Sequence, residues 1–177
     1  MKNKIKQISL FFLLIGITAM FSGCNPNNPQ PNSGTLLQWN VNIGGQNFSW
    51  QGDYPNSMSG GTAAATGAGT QTPFSIVCSS PSPSFTAGFG LPLYGLGNFN
   101  LNSSNYSPTN TLSIIQNGGS INYSTAYGGS VVVNVTQFPS TINGIIKGTF
   151  NGTIGKSVAL GGGTTTISGS FDVLRMD

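Results

Sequence analysis

From residue 35 onward the chain alternates apolar and polar residues in short runs, and turn-forming clusters interrupt the alternation about every ten residues. Leu37, Trp39, Val41 and Ile43 alternate with Gln38, Asn40 and Asn42. That is the period of a half-buried strand, because successive side chains leave opposite faces. Gly44-Gly45 separates this run from Gln46–Trp50, the spacing of a tight hairpin. Further alternating runs are Thr72–Cys78, Phe85–Leu91, Asn98–Leu101, Thr111–Gln116, Ser120–Tyr127, Ser130–Phe138, Gly144–Ile154 and Thr164–Leu174. The tracts Gly60–Thr70, Ser79–Ser84 and Ser103–Asn110 between them have the composition of turns and loops. No stretch beyond the leader repeats apolar residues at helical spacing with caps at both ends. Ala63–Ala65 is the one helix-friendly spot, and glycines surround it. The expectation is a single all-β domain over residues 35–177, an antiparallel β-sandwich or open barrel of about nine or ten short strands.

The N-terminus has a different grammar. Lys2, Lys4 and Lys6 precede an apolar run from Ile8 to Met20, and Phe21-Ser22-Gly23-Cys24 follows. A basic start, an apolar stretch of about a dozen residues and small residues before a cysteine describe a secretory signal. The run falls short of the roughly 20 residues a membrane span needs. The Ser-Gly-Cys ending resembles the lipobox of bacterial lipoproteins, with Phe21 where that pattern prefers Leu. The resemblance implies removal of residues 1–23, palmitate-type diacylation of the Cys24 sulfur and acylation of its new amine. Two or more acyl chains hold a protein stably on a bilayer. Residues 24–34 are then a lipidated cysteine and a spacer with Pro26, Pro29 and Pro31, too polar to bury a core. An extended spacer of that length spans about 30 Å. The spacer carries no charge. Acidic residues after the cysteine resemble a cell-surface address in Bacteroidota lipoproteins, so their absence favours the periplasmic face of the outer membrane.

Charge narrows the function classes. The chain has Lys+Arg 6, Asp+Glu 3, no histidine and 5% charged residues, where an ordinary soluble domain has about a quarter. After leader removal Lys147, Lys156 and Arg175 balance Asp53, Asp172 and Asp177. A nucleic-acid partner needs clustered cations to displace phosphate counterions, and none are clustered here. With no His or Glu, general acid–base pairs, metal sites and catalytic triads have almost nothing to be built from. No enzyme activity, cofactor or metal is expected. Asp53, in the stretch Gln51–Pro55, reads as a turn-former, and Asp172 as a solvated face charge near Lys147. Lys156 falls in the Gly-rich turn. Cys78 alternates with Phe74 and Ile76, which points it inward as a small inert hydrophobe. With Cys24 lipidated, it has no intramolecular disulfide partner.

The C-terminal third carries a recognisable succession: Gly129–Thr136 (GSVVVNVT), Asn143–Gly152 (NGIIKGTFNG) and Thr166–Val173 (TISGSFDV). It resembles a family of small all-β Bacteroidota lipoproteins of unknown function, and Val41–Phe48 (VNIGGQNF) is similar to that family's first hairpin. Residues 52–108 match it poorly. The resemblance implies a β-rich fold and an envelope location, and it brings no activity or site residue. The motif also has a physical meaning. Ile146, Gly148, Phe150, Gly152 and Ile154 share one strand face, as do Ile167, Gly169, Phe171 and Val173. Glycine inside a strand often marks close approach by another group, and a ring lying across a neighbouring glycine satisfies both strands. The predicted antiparallel register therefore sets Gly148 opposite Phe171, Phe150 opposite Gly169, Gly152 opposite Ile167 and Lys147 opposite Asp172.

Trp39, Trp50, Tyr54, Tyr94, Tyr106, Tyr123 and Tyr127 accompany a composition rich in Asn, Ser and Thr. Sugars are bound by apolar ring faces together with amides and hydroxyls. Trp39 alternates with Val41 and reads as core, and Trp50 falls on the Phe48 face. Tyr54, beside Pro55, is the expected exposed platform. Tyr54 and Trp50 are accordingly the candidate ligand-binding residues, and no residue is a catalytic candidate. The functional expectation is a non-catalytic, lipid-anchored cell-envelope protein with a structural or interaction role. Its partners would be a membrane through Cys24 and a glycan or envelope protein; the alternative role is a glycan- or other ligand-binding module.

Overall fold

Alternation of apolar and polar side chains lays the chain out as ten strands in a computed structural model. It describes residues 35–54, 62–66, 74–81, 84–91, 95–107, 110–117, 119–141 and 143–175, with positions 35, 53–54, 62–66, 74 and 81 as backbone only. In order they are β1 (Thr35–Ile43), β2 (Gln46–Tyr54), β3 (Thr62–Thr66), β4 (Phe74–Pro81) and β5 (Ser84–Leu91). Then come β6 (Gly97–Asn102), β7 (Thr111–Gln116), β8 (Ile121–Gln137), β9 (Ile145–Lys156) and β10 (Thr164–Arg175). The single helical element among the described residues is a 3-10 turn, Val158–Leu160, between β9 and β10.

Two long strands make the corners. One edge of β10 pairs with β9; its other edge takes β1 at Ile167–Asp172 and then β3 at Leu174 and Arg175. β8 is shared in the same way. One edge pairs with β9, and the other takes β7 at Ile121–Ser124 and β6 at Ser130–Val135. The path β10-β3-β4-β5-β7-β8-β9 thus returns to β10, and the sheet is a nearly closed barrel. The β1–β2 hairpin and β6 extend from its two corners. All pairings are antiparallel except β10 with β3. The fold is all-β, as the alternation requires.

Inward residues fill the interior. Phe85 of β5 stacks on Trp39 at 5.0 Å and on Phe48 at 4.7 Å between ring centroids. Four residues along, Phe89 meets Phe150 edge-on at 5.0 Å and Phe171 at 5.8 Å. These spacings suit offset or edge-to-face aromatic pairs. The β9–β10 register is the predicted one, with Gly148 opposite Phe171, Phe150 opposite Gly169, Gly152 opposite Ile167 and Lys147 opposite Asp172. A Cβ on Gly148 would run into the Phe171 ring, and one on Gly169 into the Phe150 ring. The glycines are the space the rings occupy.

Four expectations are corrected. β3 lies inside the Gly60–Thr70 tract expected to be loop. An alanine run has no alternation to reveal a strand, and its backbone pairing to β4 and β10 holds it. Ser120–Tyr127 and Ser130–Phe138 belong to one strand, β8. Ser124 opposes Gly155 and Gly129 opposes Ile154, so the residues between form a bulge. Gly128 and Gly129 supply its positive φ angles, 124° and 85°. Asp53 is not in a turn; the β1–β2 ladder runs on through Leu36↔Asp53 to Thr35↔Tyr54. Lys156 is the last residue of β9, opposite Tyr123, and not part of the turn.

Candidate functional site

The outer face of β2-β1-β10-β9-β8-β6 is a broad polar surface built by the alternation. Residues that leave this face form rows across the strands. One row runs Ser49, Asn40, Ser170, Thr149, Asn134, Asn98, and the next Asn47, Asn42, Ser168, Asn151, Val132, Asn100. Cross-strand hydrogen bonds knit the rows: Asn40 Nδ2 donates to Ser170 Oγ at 2.8 Å, Asn42 Nδ2 to Asn47 Oδ1 at 2.6 Å and Ser130 Oγ to Asn100 Oδ1 at 2.9 Å.

The charge on this face is one pair. Lys147 Nζ donates to Asp172 Oδ2 at 2.9 Å, and Gln38 Nε2 donates to the same oxygen at 3.0 Å. The carboxylate is tied on both sides along an open sheet face, as its strand position predicts. Cys78 is buried, and burial pushes its thiol pKa far above the ordinary value of 9.0, so it stays protonated. Among the described residues no three His, Cys, Asp or Glu side chains come together to hold a metal ion.

Trp50 sits across from Trp39 on the hairpin and is partly buried against the core. The backbone of Tyr54 ends β2; its side chain, Tyr94 and Cys24 lie outside the described residues. The exposed aromatics among the described residues are Tyr106, 47% exposed, and Tyr127, 48%. Tyr106 belongs to an asparagine-laced loop. Asn102 Oδ1 accepts from the Ser104 and Asn105 amides at 2.9 and 3.1 Å, and Asn110 Nδ2 donates to the Asn105 carbonyl at 2.8 Å. Both ends of the loop are pinned to β8, at Asn102↔Ser130 and by Leu112 N donating to Thr125 Oγ1 at 3.2 Å. Tyr127 falls between those two pins. Strand alternation did not single it out, because it rides on the bulge; the Gly128-Gly129 pair that follows is the sequence signal that marks it.

This fold and face define an all-β, nearly closed barrel with an amide-and-hydroxyl wall that carries one ion pair. No protein-family model matches the chain, and no curated protein or solved structure matches it. No helix among the described residues is long and apolar enough to cross a membrane.

Proposed function

We propose that the chain is a non-catalytic, lipid-anchored module of the bacterial cell envelope, held through Cys24 on the periplasmic face of the outer membrane, with a structural or interaction role. The observation that carries the non-catalytic part is the dispersal of the reactive side chains. The Asp172 carboxylate is neutralised by Lys147 on an open face, and the Cys78 thiol is sealed in the core. Neither has a second ionisable partner suited to proton transfer. The anchor rests on the Ser22-Gly23-Cys24 ending after a basic and apolar leader. Metabolic labelling with a palmitate analogue should mark the wild-type chain and spare Cys24→Ala; equal labelling of both overturns the anchor. Turnover of an ester, glycoside or peptide substrate that disappears in Asp172→Asn overturns the non-catalytic reading.

A second reading, glycan binding, is favoured by the two exposed tyrosines beside asparagine and serine side chains. It adds Tyr106 and Tyr127 to the candidate platform residues Trp50 and Tyr54. Saturable polysaccharide binding lost in Tyr106→Ala or Tyr127→Ala supports it, and binding unchanged in both removes it.

A further inference from the structure

The β9–β10 tip differs from three of the other described turns. Those use Gly44-Gly45, Asn117 and Gly119, or the stretch Asn102–Ser107, whereas this one reads Ser157-Val158-Ala159-Leu160-Gly161-Gly162-Gly163. Its 3-10 turn buries no residue, and Val158 is 93% exposed and Leu160 41%. Scattered surface aliphatics are ordinary, but these two share one rigid projection. Leu160 N donates to Ser157 O at 3.0 Å, Gly161 N to Val158 O at 2.9 Å and Gly162 N to Ser157 O at 3.1 Å. Ser157 N donates to Asn122 O of β8 at 2.8 Å, which fastens the base. Gly161, Gly162 and Gly163 all take positive φ, 84°, 67° and 73°, a path that side chains disfavour. The backbone of turn and base is hydrogen-bonded internally, although Ser157 Oγ is buried without a partner, and the exposure of Val158 and Leu160 leaves them little packing duty in the fold.

The surroundings favour a lipid surface as the occupant. The Tyr127 backbone lies directly on Gly155 of β9, one residue before Lys156, so an exposed tyrosine and a cation flank the base of the tip. Tyrosine is enriched at the membrane–water boundary, and Lys suits anionic headgroups. Asp172 lies toward the far end of β10, and the backbone of Asp53 is opposite Leu36 near the far end of β1. Two aliphatic side chains and a tyrosine on a convex tip fall short of the roughly 800 Å² per partner of a standard protein interface. A bilayer needs no matching surface.

The chain outside the described barrel has the length this needs. Gly44 N donates to Thr166 O at 3.0 Å, so the β1–β2 turn lies at the same end as the tip and Thr35 at the opposite end. Eleven residues from Cys24 to Thr35 reach about 35 Å when extended. The twelve residues of β10 span about 40 Å along the strand, and less along the axis of a barrel with tilted strands. A chain held at Cys24 can therefore turn over and bring the tip to the membrane that holds it. Tethering raises the local concentration of so small a contact.

We propose that the β9–β10 tip is a lipid-contacting element: Val158 and Leu160 enter the interface of the anchoring bilayer, with Tyr127 at the boundary and Lys156 against anionic phospholipid headgroups. This rests on the anchor at Cys24. The test uses the full-length, anchor-bearing chain purified from membranes, with Val158→Cys or, as reference, Ser49→Cys on the polar face carrying an environment-sensitive nitrobenzoxadiazole label. The chain is placed on phosphatidylethanolamine–phosphatidylglycerol vesicles with and without brominated lipid. The label at 158 should shift to the blue and be quenched by brominated lipid, while the label at 49 should do neither. Leu160→Asp in the Val158→Cys chain should abolish both signals, and Lys156→Gln should weaken them. A chain that floats with the vesicles while position 158 behaves like position 49 overturns the tip and leaves the anchor standing. A chain that does not float overturns both. A blue shift without lipid quenching identifies a protein contact, such as a second copy, and overturns the lipid assignment.

Discussion

At Gly169 two strands and a ring converge: a Cβ there would strike the Asn40 carbonyl oxygen and the Phe150 ring. Gly169→Ala should therefore lower stability in urea unfolding by about 1–3 kcal/mol, the cost of overpacking. Phe171→Ala, which empties the space over Gly148 in the same ladder, should cost about 3–5 kcal/mol. Gly88 of β5 supplies the control, because a Cβ there meets nothing within 4 Å. Gly88→Ala should be neutral or stabilise by up to about 1 kcal/mol through the unfolded chain. Cys78 makes a prediction in pH. Its folded pKa is raised by burial from the ordinary 9.0, so above that value the unfolded chain loses a proton that the folded chain keeps. The stabilising effect is complete below about pH 9 and is lost as pH rises, at about 1.4 kcal/mol per unit. Wild type minus Cys78→Ala should show that slope in alkaline unfolding curves, and parallel curves would refute it.

Along the strands, register is decided by shape more than by charge. The Lys147–Asp172 pair lies at the predicted step of the β9–β10 ladder, yet an exposed pair contributes only about 0–1 kcal/mol. Asp172→Asn should cost no more than that, and amide cross-peaks between β9 and β10 should keep their pairing; a shift of two residues would show that charge sets the register. This ladder was legible in the sequence because ring and glycine must alternate across it. β3 was not, since its alanines carry no alternation and its place depends on partners distant in the chain. β8 looked like two strands for the opposite reason: Gly128 and Gly129 read as a break, whereas their positive φ angles absorb a bulge within one strand. The same bulge hid Tyr127. Thr125 is buried and Tyr127 exposed although two positions separate them, so counting by twos fails there. Trp50 drew attention for its ring, and its partial burial against the core was readable from its shared face with Phe48.

Across the molecule, β10 borders β1, β3 and β9 at once, so each side of the barrel depends on it. A chain ending at Gly163 should lack cooperative unfolding and near-ultraviolet dichroism, while the complete chain should show both. Retained cooperativity would mean that β9 and β4 close the sheet without it. The pairings that close this sheet are distant in sequence, and such topologies fold slowly, in about milliseconds to seconds. The first described strand pairs with β2 on one edge and with β10, the last described strand, on the other. Until β10 is made, the path β3-β4-β5-β7-β8-β9 stays open. If, as proposed, the chain crosses a membrane as an unfolded thread, that order of events is itself useful: the piece that locks the barrel is synthesised after the nine strands it locks and emerges after them on the other side.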